Sequence, residues 1–137
     1  MAVKDWGLRT GDYTARGLEK SLVIERKAST GELAMNLGQK RKPFEAEMER
    51  MSNFRWAYIV CEFSIDDIMS FPENSGIPKK RWQYMRMNGK FIWRRVRELE
   101  EKYNVVFLFC ENKVDAEERV FRIFDEVTEI LIREQVN

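Results

Sequence analysis

Apolar positions along this chain switch between two periods, and the switches divide it into extended and helical stretches. Over residues 21–26 three aliphatic residues stand together (Leu22, Val23, Ile24), the mark of a short strand. A turn signal at Thr10-Gly11-Asp12 precedes it, and residues 20–27 are expected to pair with residues 13–18 through a glycine-containing connection. Thr30 is placed to cap a helix that runs through Leu37 and ends at Gly38. A second helix is predicted over residues 43–51, with Pro43 in its first turn and Phe44, Met48 and Met51 at helical spacing. Residues 57–63 (Ala-Tyr-Ile-Val-Cys-Glu-Phe) read as a fully buried strand. A loop with Pro72, Asn74, Ser75, Gly76 and Pro78 follows. Asn88-Gly89 then opens a helix whose Ile92, Val96, Leu99 and Tyr103 form one apolar stripe. Residues 105–110 are the next buried strand. Residues 115–134 form a long amphipathic helix with Val120, Ile123, Phe124, Val127, Ile130 and Leu131 facing inward. Strands that alternate with helices predict an α/β sheet covered by helices.

Composition narrows the chemistry more than the fold. At 137 residues, 44% hydrophobic and 34% charged, the chain is expected to be one domain able to bury its own core. No internal repeat, low-complexity tract or linker interrupts it. No apolar run approaches the roughly 18 residues that span a bilayer, and the N-terminus has no signal-like apolar stretch, so no membrane partner is expected. Cys61 and Cys110 each end an apolar run, which predicts buried reduced thiols and a cytoplasmic protein. Histidine is absent altogether. That excludes a Ser-His-Asp triad, an imidazole general base and any histidine-containing zinc site. Chemistry here has to run on carboxylates, lysines, hydroxyls and a hard metal.

Two patterns supply candidates. The first is Gly11-Asp12-Tyr13 followed by Ile24-Glu25-Arg26-Lys27. An acidic residue on one strand and a Glu-x-Lys on the next bring two carboxylates and an ammonium to one sheet edge. Strand alternation puts Glu25 and Lys27 on one face and turns Arg26 away. Carboxylate oxygens suit Mg²⁺ or Mn²⁺, and such an ion activates water and stabilises charge on a phosphate under attack. The bland alternatives are an Asx-turn at Asp12 and a solvated strand end at Glu25 to Lys27.

The second pattern is charge segregation beneath a net charge of +1. Residues 76–97 carry eight basic residues (Lys79, Lys80, Arg81, Arg86, Lys90, Arg94, Arg95, Arg97) and no acidic one. Residues 111–137 carry eight acidic against four basic residues. The basic stretch interleaves Trp82, Tyr84, Phe91 and Trp93. Cations bind phosphates by counterion release and aromatic faces stack on unpaired bases. The competing reading makes Phe91 core and the arginines a solvated helix face. Lys40 and Arg41 are secondary phosphate contacts.

The run Gly11-Asp12-Tyr13, Ile24-Glu25-Arg26-Lys27, Glu32-Leu33, Leu37-Gly38, Arg41, Phe44, Glu47, Glu49-Arg50-Met51 and Tyr58-Ile59-Val60 resembles the XPF-type nuclease domain. That domain is a branch of the PD-(D/E)XK superfamily, and the likeness is greatest to single-domain phage and bacterial versions. It implies a restriction-endonuclease-like central sheet flanked by helices, filling residues 1–137. It also implies Asp12 and Glu25 as metal ligands, Lys27 as the catalytic lysine, and Arg26 and Glu32 in support. Glu32 stands five positions after Lys27, where the family's acidic residue stands four after. The family also carries a strand with an Asp-x-Arg-Glu-like motif before Gly-Asp-Tyr, and the ten residues before Gly11 hold no such motif. The expectation is that this strand is absent, supplied differently or replaced by another chain. No helix-hairpin-helix pair follows in this sequence either.

The function implied is a Mg²⁺- or Mn²⁺-dependent endonuclease on branched, flapped or single-strand-containing DNA, in bacterial or phage-infected host cytoplasm, concerned with DNA repair or recombination. The alternative, prompted by the missing strand motif, is a catalytically weak or inactive DNA-binding or scaffold subunit. A third, weaker reading is a factor that uses the fold for protein contacts. Related domains pair, so the resemblance also points to a homodimer or a partner subunit.

Overall fold

Leu22, Val23 and Ile24 commit the first described strand, because β-branched and aliphatic side chains in a row favour extended backbone buried on both faces. In the computed structural model, which describes Leu18 and residues 20–136, this strand is β1 (Leu22–Lys27). The elements that follow are α1 (Thr30–Leu37), α2 (Arg41–Met51), β2 (Trp56–Cys61), α3 (Ile65–Met69), a 3₁₀ segment (Lys79–Tyr84), α4 (Gly89–Tyr103), β3 (Val106–Phe109) and α5 (Lys113–Val136). The expected pairing partner of β1 at residues 13–17 lies outside the described residues. Leu18 closes a turn, its carbonyl accepting from the Ser21 and Leu22 amides at 2.8 and 2.9 Å.

Among the described residues the sheet has three parallel strands in the order β1-β2-β3. Register pairs Glu25 with Ile59, Lys27 with Cys61, and Cys61 with Phe109. All three strands therefore end at one edge. Alternation divides the side chains between two cores. Val23, Ala57, Ile59, Cys61 and Phe107 pack with Leu33 and Leu37 of α1, Phe44 and Met48 of α2, Ile68 of α3 and Ile92 and Val96 of α4. Leu22, Ile24 and Val60 pack on the other face with Ala116, Val120, Ile123, Phe124 and Val127 of α5. An α/β sheet with helices over both faces is thus the observed architecture. Each fully buried aliphatic side chain contributes about 1.5–3 kcal/mol, so both faces are needed.

The structure corrects several boundaries. Ser29, not Thr30, caps α1: its backbone is extended and its Oγ accepts from the Glu32 amide at 3.1 Å. The strand expected over residues 57–63 starts at Trp56 and stops at Cys61. Helix α3 is an element that apolar periodicity missed because it is only five residues long. Its signal was the Ser-x-x-Asp of a capping box, with the Ser64 amide donating to Asp67 Oδ2 at 2.9 Å and the Asp67 amide to Ser64 Oγ at 3.2 Å. Part of the expected loop is the 3₁₀ segment. Ile130 and Leu131 are only half-buried, because the end of α5 runs past the strands that cover its middle.

Both cysteines are unbridged and buried, and they sit in opposite cores. Burial pushes the Cys61 thiol well above its ordinary value, with Cys110 adding to the effect. Among the described residues no helix is long and apolar enough to cross a membrane.

Candidate active site

The edge where the parallel strands end gathers the residues that the Glu-x-Lys pattern singled out. Open α/β sheets bind ligands at the carboxyl ends of their strands, where loops leave room and backbone groups converge. Glu25 and Lys27 leave β1 on the face covered by α1 and α2, two positions apart as alternation requires. Lys27 Nζ lies 3.7 Å from Glu25 Oε1, with side chains 8% and 18% exposed. The ammonium also sits 5.3 Å from the centre of the Phe44 ring, contributed by α2. A buried ammonium is costly unless compensated, and here a carboxylate and an aromatic face do so. The Phe44–Lys27 contact joins residues far apart in sequence, so no local pattern announces it.

Arg26 points to the opposite face. Its guanidinium is 2.7 Å from Glu62 Oε2, just past the end of β2, and 3.9 Å from Glu117 Oε1 on α5. It ties the ends of two strands to the helix behind them. Glu62 had no sequence signal, since only the register brings it beside Arg26.

Glu32 does different work from that expected of a supporting site residue. Its Oε1 accepts from the Ala28 amide at 2.8 Å while its own amide is held by Ser29. The carboxylate therefore closes the start of α1. Asp12, the second expected metal ligand, lies outside the described residues with the rest of Gly11-Asp12-Tyr13. Among the described residues no group of three or more acidic or thiol side chains converges. Glu25 alone still fits Mg²⁺ or Mn²⁺ chemically, because such ions are held by one or two carboxylates and otherwise by water and substrate phosphate.

The basic stretch separates into engaged and outward-facing cations. Arg95 reaches Glu45 at 3.5 Å and Glu98 at 3.3 Å, and Arg97 reaches Glu100 at 3.7 Å. Arg95 is therefore part of a staple between α2 and α4, to which Lys102, the Tyr103 hydroxyl and Arg41 contribute through Glu45. Burial by itself pushes the Glu45 carboxyl up, but the Tyr103 hydroxyl, Lys102 and Arg95 together bring it below its ordinary value. Arg94 lies 6.0 Å from the Phe91 ring. Lys79, Lys80, Arg81, Arg86 and Lys90 are all exposed.

The aromatic residues separate in the same way. Trp82 donates its indole N–H to the Ile77 carbonyl at 2.9 Å, and Trp93 packs against Phe109 at 5.7 Å. Both are half-buried structural residues. Tyr84 alone of the four faces outward, at 79% exposure.

Two solved structures are similar to this chain. "XPF from Aeropyrum pernix, complex with DNA" matches with a TM-score of 0.60 and 16% identity, over 89% of this chain and 51% of that one. "XPF from Aeropyrum pernix" matches with a TM-score of 0.52 and 18% identity, over 77% of this chain and 40% of that one. The chain thus spans about half, or less, of the length of those structures. No family model matches it, and no curated protein matches it. At these identities the likeness shows the fold alone, which is that of the XPF structures.

Proposed function

We propose that this protein is a Mg²⁺- or Mn²⁺-dependent DNA endonuclease that hydrolyses phosphodiester bonds in branched, flapped or single-strand-containing DNA. The observation that carries the proposal is the pairing of Glu25 with Lys27 at the strand ends of an XPF-type nuclease fold, 3.7 Å apart and on one face. Support for DNA as the polyanion comes from the outward cations after residue 78 and from a structural neighbour solved in complex with DNA.

Glu25 would hold the metal through a hard carboxylate oxygen, with Asp12 as its proposed second ligand. When bound, the ion supplies positive charge against the phosphate and lowers the pKa of water. Lys27 carries its own part of the reaction. Its ammonium, screened from bulk water by Phe44, orients the attacking water or neutralises charge that builds on the phosphate oxygens. Low local dielectric strengthens that interaction. Arg26 keeps the end of β1 fixed against Glu62, so that Glu25 and Lys27 do not drift apart.

The test is cleavage of labelled flap, fork, four-way junction and single-stranded DNA with Mg²⁺ or Mn²⁺, beside Glu25→Ala, Lys27→Met and Asp12→Ala. Metal-dependent cutting that disappears in Glu25→Ala supports the proposal. DNA binding with no cutting in either metal would overturn the catalytic part and leave a nuclease-fold DNA-binding subunit.

A further inference from the structure

We propose that the Lys79–Tyr84 segment is a landing platform for single-stranded DNA, on which Tyr84 stacks an unpaired base. The choice of DNA as the polyanion rests on the nuclease reading above; the platform itself rests on separate observations.

The first is geometric. In a 3₁₀ segment residues three apart eclipse one another, so Arg81 and Tyr84 share one edge. Trp82 is turned inward by its bond to the Ile77 carbonyl. The result is an aromatic ring 79% exposed, with a guanidinium on the same edge. A tyrosine ring held so far out buries little apolar surface of its own, so folding does not account for its position.

Charge is the second observation. No acidic residue occurs between Glu73 and Glu98. Lys79, Lys80, Arg81, Arg86 and Lys90 form no ion pair with the described residues, unlike Arg95 and Arg97. These are cations available to phosphates, and the release of counterions from those phosphates drives binding. A ring among such cations has the composition of a single-strand site, since every unpaired base offers a π-face that a duplex hides.

Position is the third. The Gly31 amide donates to the Ser75 carbonyl at 3.2 Å. A Cβ on residue 31 would lie 2.3 Å from that oxygen and 3.3 Å from Ile77 Cγ1. The loop that carries the platform is therefore seated on α1 only four residues beyond Lys27. Trp82 extends the connection by holding the 3₁₀ segment to Ile77. Tyr84 is thus carried by a loop anchored, through Ser75 and Ile77, on the first turn of the helix that follows Lys27.

The experiment measures binding of labelled oligothymidylate and of a blunt DNA hairpin to the full chain in EDTA, where no cleavage intervenes. Tyr84→Ala is expected to weaken oligothymidylate binding roughly 5- to 150-fold, as loss of one base–aromatic stack does. Hairpin binding should stay as it was, and Tyr84→Phe should restore the single-strand affinity. Arg81→Ala should weaken both ligands and flatten the salt dependence by about one phosphate contact. Failure to bind oligothymidylate at low salt, or equal effects of Tyr84→Ala on the two ligands, would overturn the platform. So would Tyr84-dependent binding to anionic phospholipid vesicles with none to oligothymidylate. Tyr84-dependent binding without metal-dependent cutting keeps the platform and removes the nuclease. Cutting with Tyr84-independent binding does the reverse.

Discussion

Lys27 has 7% of its surface exposed and keeps a charged end beside Glu25. Removing one partner of such a pair leaves the other charge uncompensated, whereas replacing both with uncharged groups of similar volume is often neutral or stabilising. Lys27→Met is therefore expected to lower the urea midpoint, because the Glu25 carboxylate loses its ammonium, and to lower cleavage about 10²- to 10³-fold, the scale of losing one transition-state donor. Glu25→Gln with Lys27→Met, which removes both charges, should recover the midpoint but not cleavage; cleavage that returns with the midpoint would make Lys27 a structural residue. Glu32 gives a different signature. Its carboxylate holds the Ala28 amide and closes the start of α1, so Glu32→Ala should cost about 1 kcal/mol of stability, as loss of a helix-start cap does. Glu32→Gln, which keeps an acceptor oxygen, should retain most of it in the same urea titration, with cleavage close to the parent. Strand alternation made the common face of Glu25 and Lys27 legible in the sequence. It could not assign Glu32, because whether a carboxylate turns outward or back to its own backbone depends on the local chain path.

At the scale of elements, apolar periodicity was a dependable guide wherever an element was long enough to repeat it. Helix α5 shows this: Val120, Ile123, Phe124 and Val127 are the side chains that fill the second core. Phe124 is 2% exposed, so Phe124→Ala should destabilise the fold by about 3–5 kcal/mol in a denaturant titration. The short α3 and the 3₁₀ segment escaped the same approach, since neither completes enough turns to show a period. Gly31 makes the point in another way. Alanine has the better helix propensity by about 1 kcal/mol, and Gly31 lies in the first turn of α1. Yet Gly31→Ala is expected to lower the thermal midpoint, because its Cβ would meet the Ser75 carbonyl at 2.3 Å. A raised midpoint would show that the loop carrying the platform moves away from α1 at little cost.

For the whole molecule, long-range ion pairs set how the fold responds to acid. Arg55 holds Glu134 through two bonds of 2.7 and 2.6 Å, joining the start of β2 to the end of α5. The hydrogen bond from Arg55 brings the Glu134 carboxyl below its ordinary 4.5. Glu45 is likewise lowered, the pull of Tyr103, Lys102 and Arg95 outweighing burial. A carboxyl lowered in the folded state contributes stability that is full above its unfolded value and lost as pH falls through the folded one. Stability is therefore expected to hold from neutral pH down to about 4.5 and to decline below it. Arg55→Ala should be less stable than the parent at pH 7, and the gap should close once Glu134 is protonated, which urea midpoints at neutral and acid pH measure. Both groups are about half exposed, so added salt should narrow the same gap.

The amino-acid sequence by itself determined the alternation of strands and helices, the common face of Glu25 and Lys27, and the absence of imidazole chemistry. Each is a property of neighbours along the chain or of composition, and periods of two and 3.6 residues translate directly into faces. It also carried the resemblance whose fold the solved structures share. Only tertiary structure decided which cations face outward, that Trp82 turns in while Tyr84 turns out, and that Phe44 lies over Lys27. The reason is distance along the chain. Arg95 meets Glu45 from 50 residues away and Arg55 meets Glu134 from 79. Pairings of that span are set by how layers stack on the sheet, which no window of local sequence contains.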